Sequence, residues 1–301
     1  MKRMTLGTAW EAGRLDAGRG PPRVLFGRMY EDPAIERGAF TPGGRVFCIA
    51  SAGCTAMHLS PYHDVVAVDI NPVQLTYAKS RIEGAPIVRG TAEHVMRIGR
   101  ALLPLAGWGR STLTAFLDLD DPDAQHVVWK AHLDTRRFRT GLDLLLSVTA
   151  LRSAYAPDLL ASLPRHFGAV MRARMERCFR VHPNRSNHYA HALLAGELMT
   201  EPVPPDAKRI ELFESDAATF LEQAPPQSFR GFTLSNILDG ASAAYRARLF
   251  RAIRHAAAPD AMIVLRSFGE PAHELKSNVA ARDSSMLWGI VDVRPAAALD
   301  T

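Results

Sequence analysis

Residues 45–81, RVFCIASAGCTAMHLSPYHDVVAVDINPVQLTYAKSR, constrain this chain more than any other stretch. Residues 45–50 form a short apolar run bounded by Gly43-Gly44, too short for a helix and rich in strand-forming residues. Ser51-Ala52-Gly53-Cys54 is a turn of small residues, 55–59 opens a helix, and 65–68 is a second apolar strand ending in Asp69. Two parallel strands joined by a helix make a βαβ unit, half of a doubly wound sheet.

The turn after the first strand must let a ligand approach the backbone, so small residues suit it. The following helix offers free N–H groups, and an acidic residue ending the second strand can accept hydrogen bonds from ribose hydroxyls. The turn holds Gly53 but no glycine-rich dinucleotide fingerprint. A nucleoside ligand without a pyrophosphate, such as S-adenosylmethionine, therefore fits better. Asp69 falls where the ribose partner belongs.

The 301 residues suffice for one large α/β domain, and a composition 47% hydrophobic and 22% charged is that of a globular chain. A net charge of +5 suits an acidic ligand or an anionic membrane surface. Basic residues do not alternate with aromatics, so nucleic acid is not expected. Cys48, Cys54 and Cys178 form neither a disulfide framework nor a zinc pattern. The eleven histidines show no metal spacing, and no metal is expected. A reducing, cytoplasmic setting follows, without signal peptide or membrane span, so any membrane contact is expected to be peripheral.

Residues 1–22 read as a loosely ordered N-terminus and 23–301 as the ligand-binding domain. Asp32-Pro33 predicts a helix start, with Asp32 as cap. Asn71 caps and Pro72 opens the helix after Asp69. From about 90 to 200 the strand–helix alternation stops, which predicts a helical insertion capping the sheet. Within it, helical patterns cover 124–133 and 142–151. Residues 164–180 place Phe167, Val170, Met171, Met175, Cys178 and Phe179 at helical spacing among five arginines. That face reads either as a solvated surface or as a contact for anionic lipid. The alternation resumes with strands over 209–213, 231–236 and 261–266, helices over 217–223 and 245–257, and an edge strand over 286–291.

In an open α/β sheet, ligands bind outside the carboxyl ends of the strands. Those ends carry Ser51 to Cys54, Asp69, Asp216, Ser235-Asn236 and Arg266-Ser267. Asp216 can accept from an adenine amine while capping its helix. Ser235 and Asn236 stand where the reactive end of the ligand would lie. Arg266 could pair with the ligand's carboxylate through a bidentate contact.

MYEDPAIERGAF, VFCIASAGCTA, VVAVDINPVQL, NHYAHALLAG and FTLSNILDG resemble the successive motifs of the betaine-lipid 3-amino-3-carboxypropyltransferase family, over roughly residues 24–268. The resemblance implies a Rossmann-like sheet of the class I methyltransferase type. It also implies transfer of the aminocarboxypropyl group from S-adenosylmethionine, as co-substrate, to diacylglycerol. By matching motifs, Ser51, Gly53, Asp69, Asn71 and Gln74 belong to the cofactor site, with Ala52 inside the same turn. The chain departs at Tyr30, where the family has tryptophan, and at Ala52, where the family has glycine. Ser235-Asn236 and Asp239-Gly240 depart from its later Ser-Asp and Asp-Trp.

The sulfonium of S-adenosylmethionine is electrophilic at three carbons, and alignment with the nucleophile decides which reacts. Transfer also needs a group that takes the acceptor's proton. Asp239, Glu31, Asp32, His188 and Tyr189 are the candidates. The acceptor is a diacylglycerol-like lipid or a small molecule. Methyl transfer on the same scaffold and binding of a nucleoside without chemistry are the alternatives.

Overall fold

The computed structural model describes residues 21–152, 155–199 and 202–299. The loosely ordered N-terminus expected over 1–22 falls almost wholly outside them. β1 (Arg45–Ile49), β2 (Asp64–Asp69), β3 (Ile210–Glu214), β4 (Phe229–Thr233), β5 (Ala257–Ser267) and β6 (Ile290–Pro295) build one sheet in the order β3-β2-β1-β4-β5-β6. β6 runs antiparallel to β5, and every other pairing is parallel. Helices flank the sheet in a Rossmann-like α/β arrangement. The chain winds outward from β1 to β3, then returns to β4 on the other side of β1. The carboxyl ends of β1 and β4 therefore open a crevice at the point of reversal.

The central strands read as unbroken apolar runs because both faces are covered. Successive side chains point to opposite faces. Phe47, Val66, Val68, Phe232 and Ile263 join one core, beneath the Ala217–Gln223 and Ala243–Ala256 helices. Val46, Cys48, Val65, Ala67 and Val264 join the other, with Ile35, Phe40 and Trp288. Local capping sets the helix starts. Asn71 Oδ1 accepts from the Val73 and Gln74 amides at 3.1 and 3.3 Å, with Pro72 at the first position. Asp216 Oδ1 accepts from the Thr219 amide at 2.9 Å. Asp32 Oδ1 accepts from the Ala34 amide at 2.9 Å, and the helix runs Ala34–Ala39.

The last strand lies later than the pattern over 286–291 suggests. Met286 takes a left-handed φ of 66°, which an extended strand does not tolerate. Trp288 is buried, and its Nε1 donates to the Tyr30 carbonyl at 2.9 Å. This apolar segment fills the core as a loop, and pairing with β5 begins at Ile290.

Between the Pro72–Ile82 helix and β3, the described residues hold helices and no strand. They build a core of their own. Trp108 stacks on Phe138 at 4.4 Å and meets Trp129 edge-on at 5.9 Å. The helix expected over 124–133 runs Pro122–Val128 and widens into a π-helical turn, Trp129–Leu133. The one expected over 142–151 is split, with Arg136–Leu145 followed by Val148–Leu151 under a Ser147 cap.

The arginine-bearing helix runs Phe167–Phe179, and its Arg172, Arg174 and Arg177 all meet partners within the protein. Arg174 is 1% exposed. It pairs with Glu270 and donates to the carbonyls of Phe268 at 2.7 Å and Leu287 at 2.5 Å. Arg177 donates to the Trp288 carbonyl at 2.9 Å. Arg172 lies 3.9 Å from Asp134 and 3.7 Å from Asp143. Arg174 and Arg177 clip the insertion to the loops around β6, while Arg172 pairs within the insertion. Arg174→Ala, which leaves buried carbonyls without a donor, is expected to lower unfolding stability by about 2–4 kcal/mol in a urea titration.

Candidate functional site

A cavity of about 570 Å³ opens at the carboxyl ends of β1, β2 and β4. Its base is the turn after β1. Ser51 takes a left-handed φ of 41°, and Gly53 follows at 82°, where no side chain is easily placed. The Ser51 amide donates to Asp69 Oδ2 at 2.9 Å, while Asp69 Oδ1 accepts from the Asn71 amide at 2.9 Å. Backbone amides thus anchor both carboxylate oxygens at the edge of the cavity. Burial pushes the Asp69 carboxyl up to about 6, against the pull of its amide donors.

Ser51, Asp69, Asn71, Gln74, Asp216, Ser235 and Asn236 all line this cavity. Ala52 and Gly53 do not; they shape the turn from behind, where Ala52 packs with Met29, Cys54 and Tyr77. The amides of Asn71 and Gln74 are occupied. Asn71 Nδ2 donates to the Arg23 carbonyl at 2.9 Å. Gln74 Oε1 accepts from the Leu25 and Phe26 amides at 2.7 and 3.2 Å, and its Nε2 donates to the carbonyls of Phe26 and Ser51, both at 3.0 Å. Both side chains therefore position the wall instead of offering free polar atoms. Gln74 hangs Leu25 and Phe26 over the cavity, a wall that no local pattern announces.

The opposite side is built around Asp216. Its Oδ2 accepts from the Tyr245 hydroxyl at 2.6 Å, and Arg248 stands 3.4 Å from Oδ1. Burial and this carboxylate hold the Tyr245 hydroxyl far above the ordinary tyrosine range. Tyr245 and Asp158, from the insertion, also line the cavity. Neither was singled out by the sequence. Tyr245 looks like any aromatic near a helix start, and Asp158 lies far from every strand end. A Cβ on Gly240, at φ 78°, would come within 3.1 Å of the Asp158 main chain, so this glycine lets the insertion close against the β4 loop.

Behind the cavity lies a buried ionic cluster. Arg266 is 0% exposed, and its guanidinium faces away from the ligand space. It donates to Glu36 at 2.5 and 3.1 Å, to Asp283 at 3.1 Å and to the Asp32 carbonyl at 3.1 Å. The expected pairing of Arg266 with a ligand carboxylate is therefore replaced by an internal role. Burial alone would lower its proton affinity, yet Glu36, Glu31 and Asp283 hold it well above the usual value. Glu31 Oε1 accepts from the Ser235 hydroxyl, while its Oε2 lies 3.6 Å from Arg266. Desolvation pushes the Glu31 carboxyl up to about 7, although Arg266 and Ser235 pull it down.

The other proton-acceptor candidates are committed elsewhere. Asp239 accepts from Ser267 Oγ at 2.5 Å, the Phe268 amide at 3.0 Å and Asn236 Nδ2 at 3.3 Å, so it braces the tips of β4 and β5. Asp32 accepts from the Ser284 hydroxyl at 2.7 Å besides its helix amide. Tyr189 is buried and donates to the Glu31 carbonyl, and the His188 ring packs 4.0 Å from the Tyr189 ring. Asp239, Asp32, His188 and Tyr189 all lie outside the cavity lining. Among the described residues, no group of histidine, cysteine, aspartate and glutamate is arranged to hold a metal ion.

No protein-family profile, no curated protein and no solved structure matches the sequence.

The Glu31 carboxyl sets a pH test. Its folded value near 7 lies above its ordinary 4.5, so the folded protein binds the proton more tightly than the unfolded chain. Stability drawn from this group is full below pH 4.5 and is lost as pH rises through 7. Denaturation of Glu31→Gln beside the parent from pH 4.5 to 8 is expected to show the parent losing on the order of 3 kcal/mol relative to the variant. A pH-independent difference would contradict the assignment.

Proposed function

We propose that this protein transfers the 3-amino-3-carboxypropyl group of S-adenosylmethionine to a diacylglycerol-like lipid or small-molecule acceptor, releasing 5′-methylthioadenosine. The observation that carries the nucleoside part is Asp69, whose two oxygens are fixed by backbone amides at the rim of a cavity of nucleoside size. In this reading the ribose lies on Asp69, and the adenine lies toward Asp216 and Tyr245. The methionine arm then reaches toward Ser235 and Asn236. The class I methyltransferase type is supported by the sheet order together with the antiparallel β6, which sets the sheet apart from a wholly parallel dinucleotide-binding sheet. The turn at 51–54 offers one glycine and lacks the glycine-rich dinucleotide fingerprint, which supports the sulfonium nucleoside over a dinucleotide.

Residues of this chain would act by placing the ligand. The acidic lining of Asp69, Asp158 and Asp216 favours a cationic ligand, and a sulfonium carries such a charge. Group choice follows from which carbon the wall presents to the acceptor.

Two measurements test the reading. Incubation with S-adenosylmethionine and a cell lipid extract is expected to give methylthioadenosine and a product heavier by one aminocarboxypropyl group. S-adenosylhomocysteine as coproduct would instead mark a methyltransferase, and binding without either product a non-catalytic protein. Asp69→Ala is expected to weaken S-adenosylmethionine binding about ten- to a hundredfold, roughly 1.5–3 kcal/mol. Because the ionised carboxylate is the better acceptor of ribose hydroxyls, calorimetric affinity of the parent should fall as pH drops through about 6. An affinity indifferent to both changes rules Asp69 out.

A further inference from the structure

We infer that Ser235 and Glu31 form a two-step proton relay: Ser235 accepts the acceptor's proton in the cavity and passes its own to the buried Glu31. The inference rests on the transferase reading and names the machinery that reading leaves open.

Position supports it first. Ser235 lines the cavity, and Glu31 lies behind it, 5% exposed. The Ser235 hydroxyl donates to Glu31 Oε1, and the nearby Asn236 Oδ1, at 3.4 Å, also offers only an acceptor. Asn236 turns its Nδ2 to Asp239, so the serine receives no donor from that side. The serine's single proton points to the carboxylate, which leaves its lone pairs for a donor in the cavity. Ser235 reaches this position through a left-handed φ of 52°, unusual for a serine and stabilised by its carbonyl accepting from the Arg266 amide at 2.8 Å.

Charge counting supports it second. Three carboxyl groups, from Glu31, Glu36 and Asp283, share one guanidinium at 3.6, 2.5 and 3.1 Å. One cation does not neutralise three buried anions, so this cluster has room for a proton. Glu31 is the most weakly held of the three, and its Oε2 is buried without a hydrogen-bond partner. The groups that face it are Arg266 on β5, Glu36 on the Ala34–Ala39 helix, Asp283 before β6, Cys48 on β1 and Tyr189 from the insertion. A carboxyl pushed up to about 7 by desolvation is matched to proton transfer near neutral pH.

The step balances. The acceptor oxygen or nitrogen forms a bond to the γ-carbon of the aminocarboxypropyl group as the carbon–sulfur bond breaks. The electron pair of that bond stays on sulfur, and the sulfonium becomes the neutral thioether of methylthioadenosine. The acceptor's proton moves to Ser235 Oγ as the serine's own proton moves to Glu31. One positive charge is lost at sulfur and one negative charge at the carboxylate. The neutral Glu31 then returns its proton to water through Ser235 when product leaves.

The test uses the full-length protein with S-adenosylmethionine and 1,2-dioctanoylglycerol as probes. Glu31→Gln keeps the side-chain volume, and Ser235→Gly suits the left-handed backbone, so both are expected to fold. Both should lower kcat for methylthioadenosine release about a hundredfold or more, and Glu31→Gln, whose side chain lies outside the cavity, should leave the KM for S-adenosylmethionine unchanged. The parent's kcat should rise with pH through a limb near 7 that Glu31→Gln lacks. Infrared titration reads the relay without any turnover. The parent should show a carboxyl band that titrates near neutral pH, disappears in Glu31→Gln and shifts in Ser235→Gly. Parent-like kcat in both variants overturns the relay, and so does the absence of that titrating band. A parent that makes no methylthioadenosine with its titrating band intact overturns the transferase reading, and the relay as a step in this transfer with it. The band then identifies Glu31 as a proton-exchanging group that a different reaction must use.

Discussion

The site depends on one buried cation. Arg266 is removed from water entirely, and a guanidinium is stable there only inside a shell of carboxylates and carbonyls. That shell comes from distant parts of the chain: Asp32 and Glu36 before β1, and Asp283 after β5. The cation therefore stitches the segment preceding the first strand to the far half of the sheet. Its own amide donates to the Ser235 carbonyl, so the tip of β4 is fixed by the same residue. The wall of the cavity, the serine at its end and the acid behind it share one electrostatic anchor.

The two strand tips that meet at the reversal point share an unusual backbone. Ser51 after β1 and Ser235 after β4 both adopt left-handed conformations without being glycine. Each then turns a main-chain or hydroxyl group toward a carboxylate, Ser51 to Asp69 and Ser235 to Glu31. Local strain of this kind persists only where surrounding contacts impose it, and it concentrates at functional sites. The symmetry gives the cavity two acids of different character. Asp69 is anchored by amides at the cavity lining, whereas Glu31 lies behind a hydroxyl.

Much of this was legible in the sequence because it is local. The apolar run, small-residue turn, helix and Asp69 lie within 25 residues, and Asn71 and Asp216 cap helices through their nearest amides. What sequence reading missed depends on distant partners. Arg266 stands at a strand end, and nothing in its neighbours reveals whether it faces ligand or core; Glu36, 230 residues away, decides it. Arg174 sits among arginines and resembles a solvated residue, yet Glu270 and the carbonyls of Phe268 and Leu287 draw it inside. Asp239 reads as available from its sequence neighbours, yet Ser267 and Phe268 occupy its carboxylate. Residue type offers a short set of acids, and only the spatial partners set Glu31, bonded to the Ser235 hydroxyl, apart from the rest.

The wall formed by Leu25 and Phe26 is neither strand nor helix, yet it is held from two sides. The Gln74 side chain bonds it from the helix after β2, and the Thr91–Ala101 helix bonds it from the insertion, where the Ala92 amide donates to the Leu25 carbonyl at 2.9 Å and Glu93 accepts from the Gly27 amide at 2.9 Å. Leu25 is buried against Ala92 at this joint. The first helix of the insertion and the wall of the cavity therefore move together, so a substitution that shifts the packing of the insertion also changes the shape of the cavity.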